Sequence, residues 1–480
     1  MVLQLPKLLD DGCVLQAGAT IHIWGAGDPG RGVLVRLDGK DRTTRVKDDG
    51  SWSVPYGPIK AGGPYDLTVR YEDGTECISR QCYAGEVFLC SGQSNMELPM
   101  AWVRADYPLE WDREPDPLLR QYKVIPDCDF NGPRNDHDHA FWQGCDAETL
   151  GDFSALAYFF GRRIRQWLNV PVGLLNVSLG GSPIESWMDA DALRAFPEAL
   201  ADLEPYLGDG VASKKIRDCP FEDFVRWKPT GPYNAMLAPC FPYAVRAVLW
   251  YQGESNTGDR AMRYGDELKA MIQLWRVKWH QPNMPFLIVQ LPKFDIDAIE
   301  DGGWPLVREQ EWNVANELEN VATVVTLDAG EGNDLHPYDK KLVADRVFNA
   351  AMDLVYGRQA QPQPAVETIE VCGDLLRMHC VWRSRSDERI RSESRRLMTL
   401  DGDAPQEIEF LWRDCATSAR AEAWLDGCDI VARMTARRPD EVRYAWSNNP
   451  ESGLICDGDG MLIPPFRLTL PTDDDKGIHA

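Results

Sequence analysis

The sequence predicts an α/β protein: a parallel sheet covered on both faces by helices, with β-rich segments before and after it. Three observations carry this. From about residue 84 short apolar runs alternate with amphipathic stretches of helical period, the pattern of strands joined by crossover helices. Residues 1–83, and again 366–480, instead show short alternating segments broken by turn signals. With 480 residues, the chain is longer than the roughly 250–300 at which a single core stops growing, so two or three domains are expected. The expected division is a β-sandwich-like domain over 1–83, an α/β domain with irregular insertions over 84–357, and a β-rich domain over 366–480.

The elements follow in order. "TIHIWG", "VLVRLDGK", "KDDGSWSV" and "AGGPYDLTVRY" are the N-terminal strands and turns. Val87–Cys90 is the first strand of the parallel sheet, since four apolar residues stop abruptly at a Gly- and amide-rich turn. After an Asp- and Pro-rich excursion, "DFSALAYFFGRRIRQWLNVP" is a helix capped by Asp152, with Leu156, Phe159, Phe160 and Ile164 inward and Pro171 beyond its end. "VGLLNVS", "AVRAVLWYQ", "PFLIVQL" and "VATVVTL" are the next four strands. "AMRYGDELKAMIQLWRVKW" and "DKKLVADRVFNAAMDLVYG" are helices, the second ending at Gly357. "GRQAQPQPAVE" has the composition of a linker, and "DLLRMHCVW", "EIEFLWRD" and "EVRYAWS" are strands of the last domain.

Composition narrows the function classes. A formal net charge of −24 speaks against nucleic-acid binding, which needs a basic footprint to displace counterions from phosphates. No apolar run reaches the ~20 residues of a membrane span, and the start MVLQLPKLLDDG lacks the basic and apolar segments of a signal peptide, so a cytoplasmic location is expected. The 13 cysteines are scattered singly, as suits reduced thiols. No metal or cofactor is expected: "NDHDHA" sets His137 and His139 among Asp136 and Asp138, which could bind a divalent cation, but it lies in a polar loop, and Cys77, Cys82 and Cys90 match no zinc spacing. His22, His280, His379 and His479 stand apart from any serine or carboxylate motif.

In open parallel sheets ligands sit outside the carboxyl ends of the strands. Four loops there are unusual: Gly92-Gln93-Ser94-Asn95-Met96, "SLGGSPIESW", Gly253-Glu254-Ser255-Asn256, and "DAGEGNDLHP". Each alone reads as an ordinary βα turn or helix cap; together they supply the parts of an acyl-transfer site. A serine nucleophile needs a base and donors aimed at the oxyanion. Ser94 is the candidate nucleophile, His336 the base, and Asp334, two residues from it, the group that orients the imidazole. Ser94 through its own N–H, Gly180 or Gly181, and the Asn256 amide are the candidate oxyanion donors. Gln93, Glu185, Trp187, Gln252 and Glu254 lie in the same loops and are candidate substrate contacts. Pro337 suits the first turn of the helix that follows.

In this order, Gly-Gln-Ser-Asn-Met, Gly-Gly-Ser-Pro-Ile-Glu-Ser-Trp, Trp-Tyr-Gln-Gly-Glu-Ser-Asn and Asp-Leu-His-Pro resemble the motif blocks of sialate O-acetylesterases, within the SGNH hydrolase superfamily. Acetyl xylan esterases and other carbohydrate acetylesterases share these blocks. The likeness extends over "DDGCVLQ", "IWGAGDPG", "DGSWSV", "YNAMLAP" and "VRYAWSNNPESGLICDGDGMLIPPFR". Leu179 stands where the family usually has an aromatic residue, and Ser182 where threonine is usual. The resemblance implies a flavodoxin-like SGNH three-layer α/β/α domain, the triad Ser94, His336 and Asp334, and an acetylated carbohydrate as substrate, sialate first and acetylated xylan or its oligosaccharides second. A non-catalytic carbohydrate-binding protein and an interaction scaffold are the competing classes; trapping of Ser94 by an organophosphonate separates the first from an esterase, and turnover of any acetyl ester the second.

Overall fold

The computed structural model describes residues 2–208, 223–295, 303–384 and 395–471. Their contacts divide the chain into two compact units: Met1–Ser255 with Asp266–Leu287 and Lys340–Phe348, and Asn256–Gly265 with Ile288–Asp339 and Asn349–Ala480.

The first unit is organised by one long strand, Cys77–Gly92. The expected boundary at 83/84 falls inside it. Its early half pairs antiparallel with Gly62–Tyr71 and parallel with Cys13–Gln16. Its later half is the centre of a sheet in the order Ala247–Tyr251, Cys77–Gly92, Val172–Ser178, Asp116–Val124, Ala140–Cys145. The first four of these run parallel and the last antiparallel. Burial explains the change of pattern along the strand. It alternates between exposed and half-buried from Cys77 to Gln81, where one face is open, and is continuously buried from Ala84 to Gly92, where both faces are covered.

The helix Ala155–Leu168 covers the sheet with Leu156, Phe159, Phe160 and Ile164 buried, as its periodicity predicts. Its cap is Ser154 and not Asp152: Ser154 Oγ accepts the Ala157 N–H at 3.2 Å, while Asp152 lies in the preceding 3-10 turn Leu150–Asp152. The helix stops at Asn169, which takes the left-handed conformation at φ 53°. The other expected helix begins as the 3-10 turn Gly258–Arg263 and becomes α-helical over Tyr264–Lys278.

The register of the parallel strands matters most for function. Gly92 pairs with Ser178 on one side and with Tyr251 on the other, so three strands end at one level. The Leu179 N–H then donates to Gly92 O at 3.0 Å, and the Gln93 N–H to Tyr251 O at 3.0 Å, so the three loops leave from one rim. Only glycine fits at this junction. Gly92 has φ +140°, and a Cβ there would lie 2.1 Å from Tyr251 O. Gly92→Ala is therefore expected to cost about 3 kcal/mol or more through backbone strain and a clash that pushes the strands apart. A first thermal unfolding transition within a degree of the parent's would contradict this.

In the second unit two antiparallel sheets share one core. One has the order Gln363–Cys372, Leu375–Arg383, Asp429–Arg433, Glu422–Asp426, and the other Thr417–Arg420, Ile408–Trp412, Glu441–Tyr444, Phe466–Thr469. Leu376, Met378, Trp382, Ile408, Phe410, Ile430, Val442 and Tyr444 fill the space between them. The expected linker is shorter than its composition suggests, because Gln363 already begins a strand. One helix was not foreseen: Gly303–Glu317 buries Trp304, Val307, Arg308, Glu311 and Val314. Lys340–Leu354, the last expected helix, starts three residues beyond Pro337, which therefore precedes the helix and is not part of its first turn.

Candidate active site at the carboxyl rim of the sheet

Ser94 opens a single helical turn, Ser94–Glu97, immediately beyond the long strand. It is partly exposed, whereas Gln93, Asn95 and Met96 around it are buried. The turn is closed by the Met96 and Glu97 N–H groups donating to Gln93 O, both at 2.9 Å, and by Leu98 N–H to Ser94 O at 2.8 Å. Gly180 lies directly beside Ser94: a Cβ built at Gly180 would be 3.5 Å from Ser94 Cβ. The hydroxyl-bearing loop and the Gly-Gly loop thus meet at the rim, as their strand ends require.

The amides of these loops hold them together. Gln93 Oε1 accepts from Gln252 Nε2 at 3.1 Å and from the Ser255 N–H at 3.2 Å. Gln252 Nε2 also reaches Ser182 O at 3.3 Å, and Ser255 Oγ donates to Gly181 O at 3.0 Å. Below them, Asn95 Nδ2 donates to Glu254 Oε1 at 2.5 Å, and Lys340 Nζ to Asn95 Oδ1 at 2.6 Å. Burial pushes the Glu254 carboxyl above its ordinary range, partly offset by the Asn95 amide and the Lys340 charge. Lys340, fully buried and 245 residues from Asn95 in sequence, was not a candidate in the sequence; a lysine opening a helix carries no signal of such a partner.

The five candidate substrate contacts are packed within these loops. Gln93, Glu185, Trp187, Gln252 and Glu254 are all buried. Trp187 donates its indole N–H to Ser182 Oγ at 2.9 Å, and its carbonyl accepts from Trp275 Nε1 at 3.0 Å. Its ring meets Trp250 edge-on at 6.3 Å between centroids. Trp187 braces the loop, and Gln93, Gln252 and Glu254 tie loop to loop. The glycines also differ from each other. Gly181 has φ +77°, and a Cβ there would lie 2.6 Å from the Trp227 ring, so an aromatic side chain covers it. The Gly180 N–H is engaged by Glu97 Oε2 at 2.5 Å.

Asn256, Asp334 and His336 belong to the second unit. Asn256 is buried at the end of the turn Glu254–Asn256. Asp334 and His336 are both partly exposed. The two-residue spacing brings the carboxylate to the histidine's main chain: Asp334 Oδ1 accepts the His336 N–H at 2.8 Å, while His336 Nδ1 is 3.9 Å from the same oxygen. The pair is adjacent, but the orienting bond to the ring is not formed in this geometry.

His137 has a structural role. It is buried, with Nδ1 3.0 Å from the Tyr122 hydroxyl and Nε2 2.8 Å from Met236 O. The carbonyl can only accept, so Nε2 carries the proton and Nδ1 accepts from Tyr122. Among the described residues no group of three or more His, Cys, Asp or Glu is placed to hold a metal ion, and no helix is long and apolar enough to cross a membrane.

Comparison with known proteins agrees with the resemblance. Residues 220–343 match the family model described as carbohydrate esterase, sialic acid-specific acetylesterase. The chain is similar to the sialate O-acetylesterases of rat, at 28% identity over 96% of this chain and 93% of the relative, and of human, at 29% over 97% and 91%. It also resembles the crystal structure of XAC1771, described as a novel carbohydrate acetylesterase from Xanthomonas citri, with a TM-score of 0.84 and 30% identity over 97% of this chain and 99% of that one. With an α/β sheet and β-rich regions before and after it, the chain belongs to this family of carbohydrate esterases and is a carboxylic ester hydrolase, a carbohydrate O-acetylesterase.

Proposed function

We propose that Ser94 is the nucleophile, that His336 is its general base, and that Asp334 orients the imidazole. The Ser94 hydroxyl attacks the acetyl carbonyl while His336 takes its proton; the same proton then goes to the departing sugar hydroxyl. Water, deprotonated by His336, releases acetate from the acyl-enzyme. This reading needs the Asp334 carboxylate to turn from the His336 N–H toward Nδ1, a change of side-chain torsion within one short loop. Oxyanion stabilisation is assigned to the Ser94 and Gly180 N–H groups and the Asn256 amide. The observation that supports this most is the shared register of Gly92, Ser178 and Tyr251, which puts a partly exposed serine next to a glycine amide at the carboxyl rim.

Sialic acid O-acetyl esters are the proposed substrate, following the curated relatives, with acetylated xylo-oligosaccharides second. The described cysteines are all free thiols, which supports action in a reducing compartment such as the cytoplasm. Acetate release from a panel of O-acetylated sialic acids and xylo-oligosaccharides tests the substrate. The highest kcat/KM is expected on an O-acetyl sialate; a higher value on the xylo-oligosaccharides would reverse the order. Labelling by an organophosphonate tests the nucleophile. The adduct is expected on Ser94, and an adduct at another serine, or no adduct in an active preparation, would refute the assignment.

A further inference from the structure

The contact between Glu97 and Gly180 is not explained by the hydrolytic mechanism and runs against part of it. Glu97 stands three residues after Ser94 on the same helical turn, so both side chains face the Gly-Gly loop. Its Oε2 takes the Gly180 N–H at 2.5 Å, and a Cβ at Gly180 would be 3.0 Å from that oxygen and 3.5 Å from Ser94 Cβ. A donor assigned to the oxyanion is therefore occupied by a carboxylate, which competes for the hydrogen bond and repels the charge that develops on the substrate oxygen.

We propose that Glu97 is a specificity-determining residue: it holds the Gly180 amide and yields it to a substrate that offers a hydroxyl beside its acetyl ester. Such a hydroxyl donates to the carboxylate and draws it away from the amide, which is then open to the oxyanion. An ester with no neighbouring hydroxyl has nothing to exchange for the amide and reacts against the occupied donor. Sugars acetylated at one of several vicinal hydroxyls have the required chemistry; simple aryl acetates do not. The inference rests on the assignment of Ser94 as nucleophile and adds a reason for a carbohydrate preference that the buried amides of the rim do not provide.

Burial moves the Glu97 carboxyl above its ordinary range, opposed by the Gly180 N–H and by the charges of Lys123 and Arg226 that face it. Lys123 is itself shared with Asp152 Oδ1 at 3.2 Å. As pH falls into the carboxylate range Glu97 takes a proton, loses its charge and weakens its hold on the amide.

The test compares Glu97→Gln and Glu97→Ala with the parent on p-nitrophenyl acetate and on a methyl xyloside carrying one acetyl group next to a free hydroxyl. Both variants are expected to raise kcat/KM on the aryl ester about tenfold, the scale of one charge-assisted hydrogen bond, and to leave it nearly unchanged on the xyloside, where the lost hydroxyl–carboxylate bond is offset by an amide that is already free. The gain of Glu97→Gln on the aryl ester should shrink as pH falls, because the parent's carboxylate is then neutral too. A parallel loss on both substrates would mean that Glu97 only supports the loop, and an unchanged ratio of the two would mean that it selects nothing; either result overturns the inference. Ser94→Ala in the same assay separates the two readings, since activity surviving there refutes the nucleophile and not the Glu97 contact.

Discussion

Ser94→Ala is expected to lower kcat for acetyl-ester hydrolysis by about 10⁴-fold or more while leaving the thermal unfolding transition where it is. The size of the loss follows from covalent catalysis: without the hydroxyl there is no acyl-enzyme, and what remains is the binding of the ester and the oxyanion donors. The unchanged stability follows from the surroundings. Ser94 is partly exposed, and the hydrogen bonds that close its helical turn end on the carbonyls of Gln93 and Ser94, which alanine keeps. The side chains that tie the loop down are its neighbours, Gln93 to Gln252 and Asn95 to Glu254 and Lys340. His336→Ala should cost about as much, and the double variant little more than either, because a nucleophile and its general base, the roles proposed for the two, act as a unit. Acetate release under single-turnover conditions measures this. A Ser94→Ala protein that keeps more than about a tenth of the parent rate would remove the serine mechanism.

The parallel core was legible because its strands are buried on both faces. Val172–Ser178 is buried at all seven positions and reads as an apolar run broken only by Asn176 before Ser178, and its loop could be located from that. The candidate loops were legible for the same reason, since abrupt ends of such runs put Ser94 and Gly180 at the rim. What the side chains do there was not legible. Gln93, Gln252 and Glu254 look like polar residues in a binding loop, but their partners lie about 70 to 160 residues away: Gln93 and Gln252 bind each other, and Glu254 binds Asn95. The 83/84 boundary lies inside a strand that changes its neighbours half-way and so changes its hydrophobic period, which is the shift that the sequence displays there. Asp152 was preferred to Ser154 as a helix cap because both residue types cap well, and only the path of the chain decides between them. The Asp-x-His spacing correctly made neighbours of Asp334 and His336, but the same spacing favours an Asx turn onto the main chain, which is the bond observed.

Arg308→Ala is expected to destabilise the second unit by about 3–5 kcal/mol and to lower esterase activity with it. The guanidinium is fully buried and gives its hydrogen bonds to four main-chain carbonyls: Leu291 at 3.0 Å, Pro292 at 2.5 Å, Ser447 at 2.9 Å and Asn448 at 2.9 Å. Alanine removes the donors: the Pro292 carbonyl keeps the Trp304 indole N–H and the Asn448 carbonyl the Phe294 N–H, so the cost falls on the bonds lost at Leu291 and Ser447 and on the emptied space. Lysine has three donors on one nitrogen and cannot reach four carbonyls in the plane that the guanidinium spans, so Arg308→Lys should recover only part of the loss. The activity is affected because the same segments hold the loop that carries Asp334 and His336. Phe294 N–H donates to Asn448 O at 3.0 Å and Asp295 N–H to Gly332 O at 2.6 Å, and a Cβ on Gly332 would meet the Asn449 amide nitrogen at 2.8 Å. A charged residue on the inner face of Gly303–Glu317 is also why that helix escaped the sequence pattern: the residues that bury it include Arg308 and Glu311, with Glu311 Oε2 accepting the Leu291 N–H at 3.1 Å. Hydrogen exchange locates the effect, because protection at Leu291, Phe294 and Asp295 should fall in the alanine variant while Leu174 and Leu175 in the first unit keep theirs. Loss of protection confined to the helix itself, with kcat unchanged, would show that Arg308 stabilises its own surroundings and does not position the histidine loop.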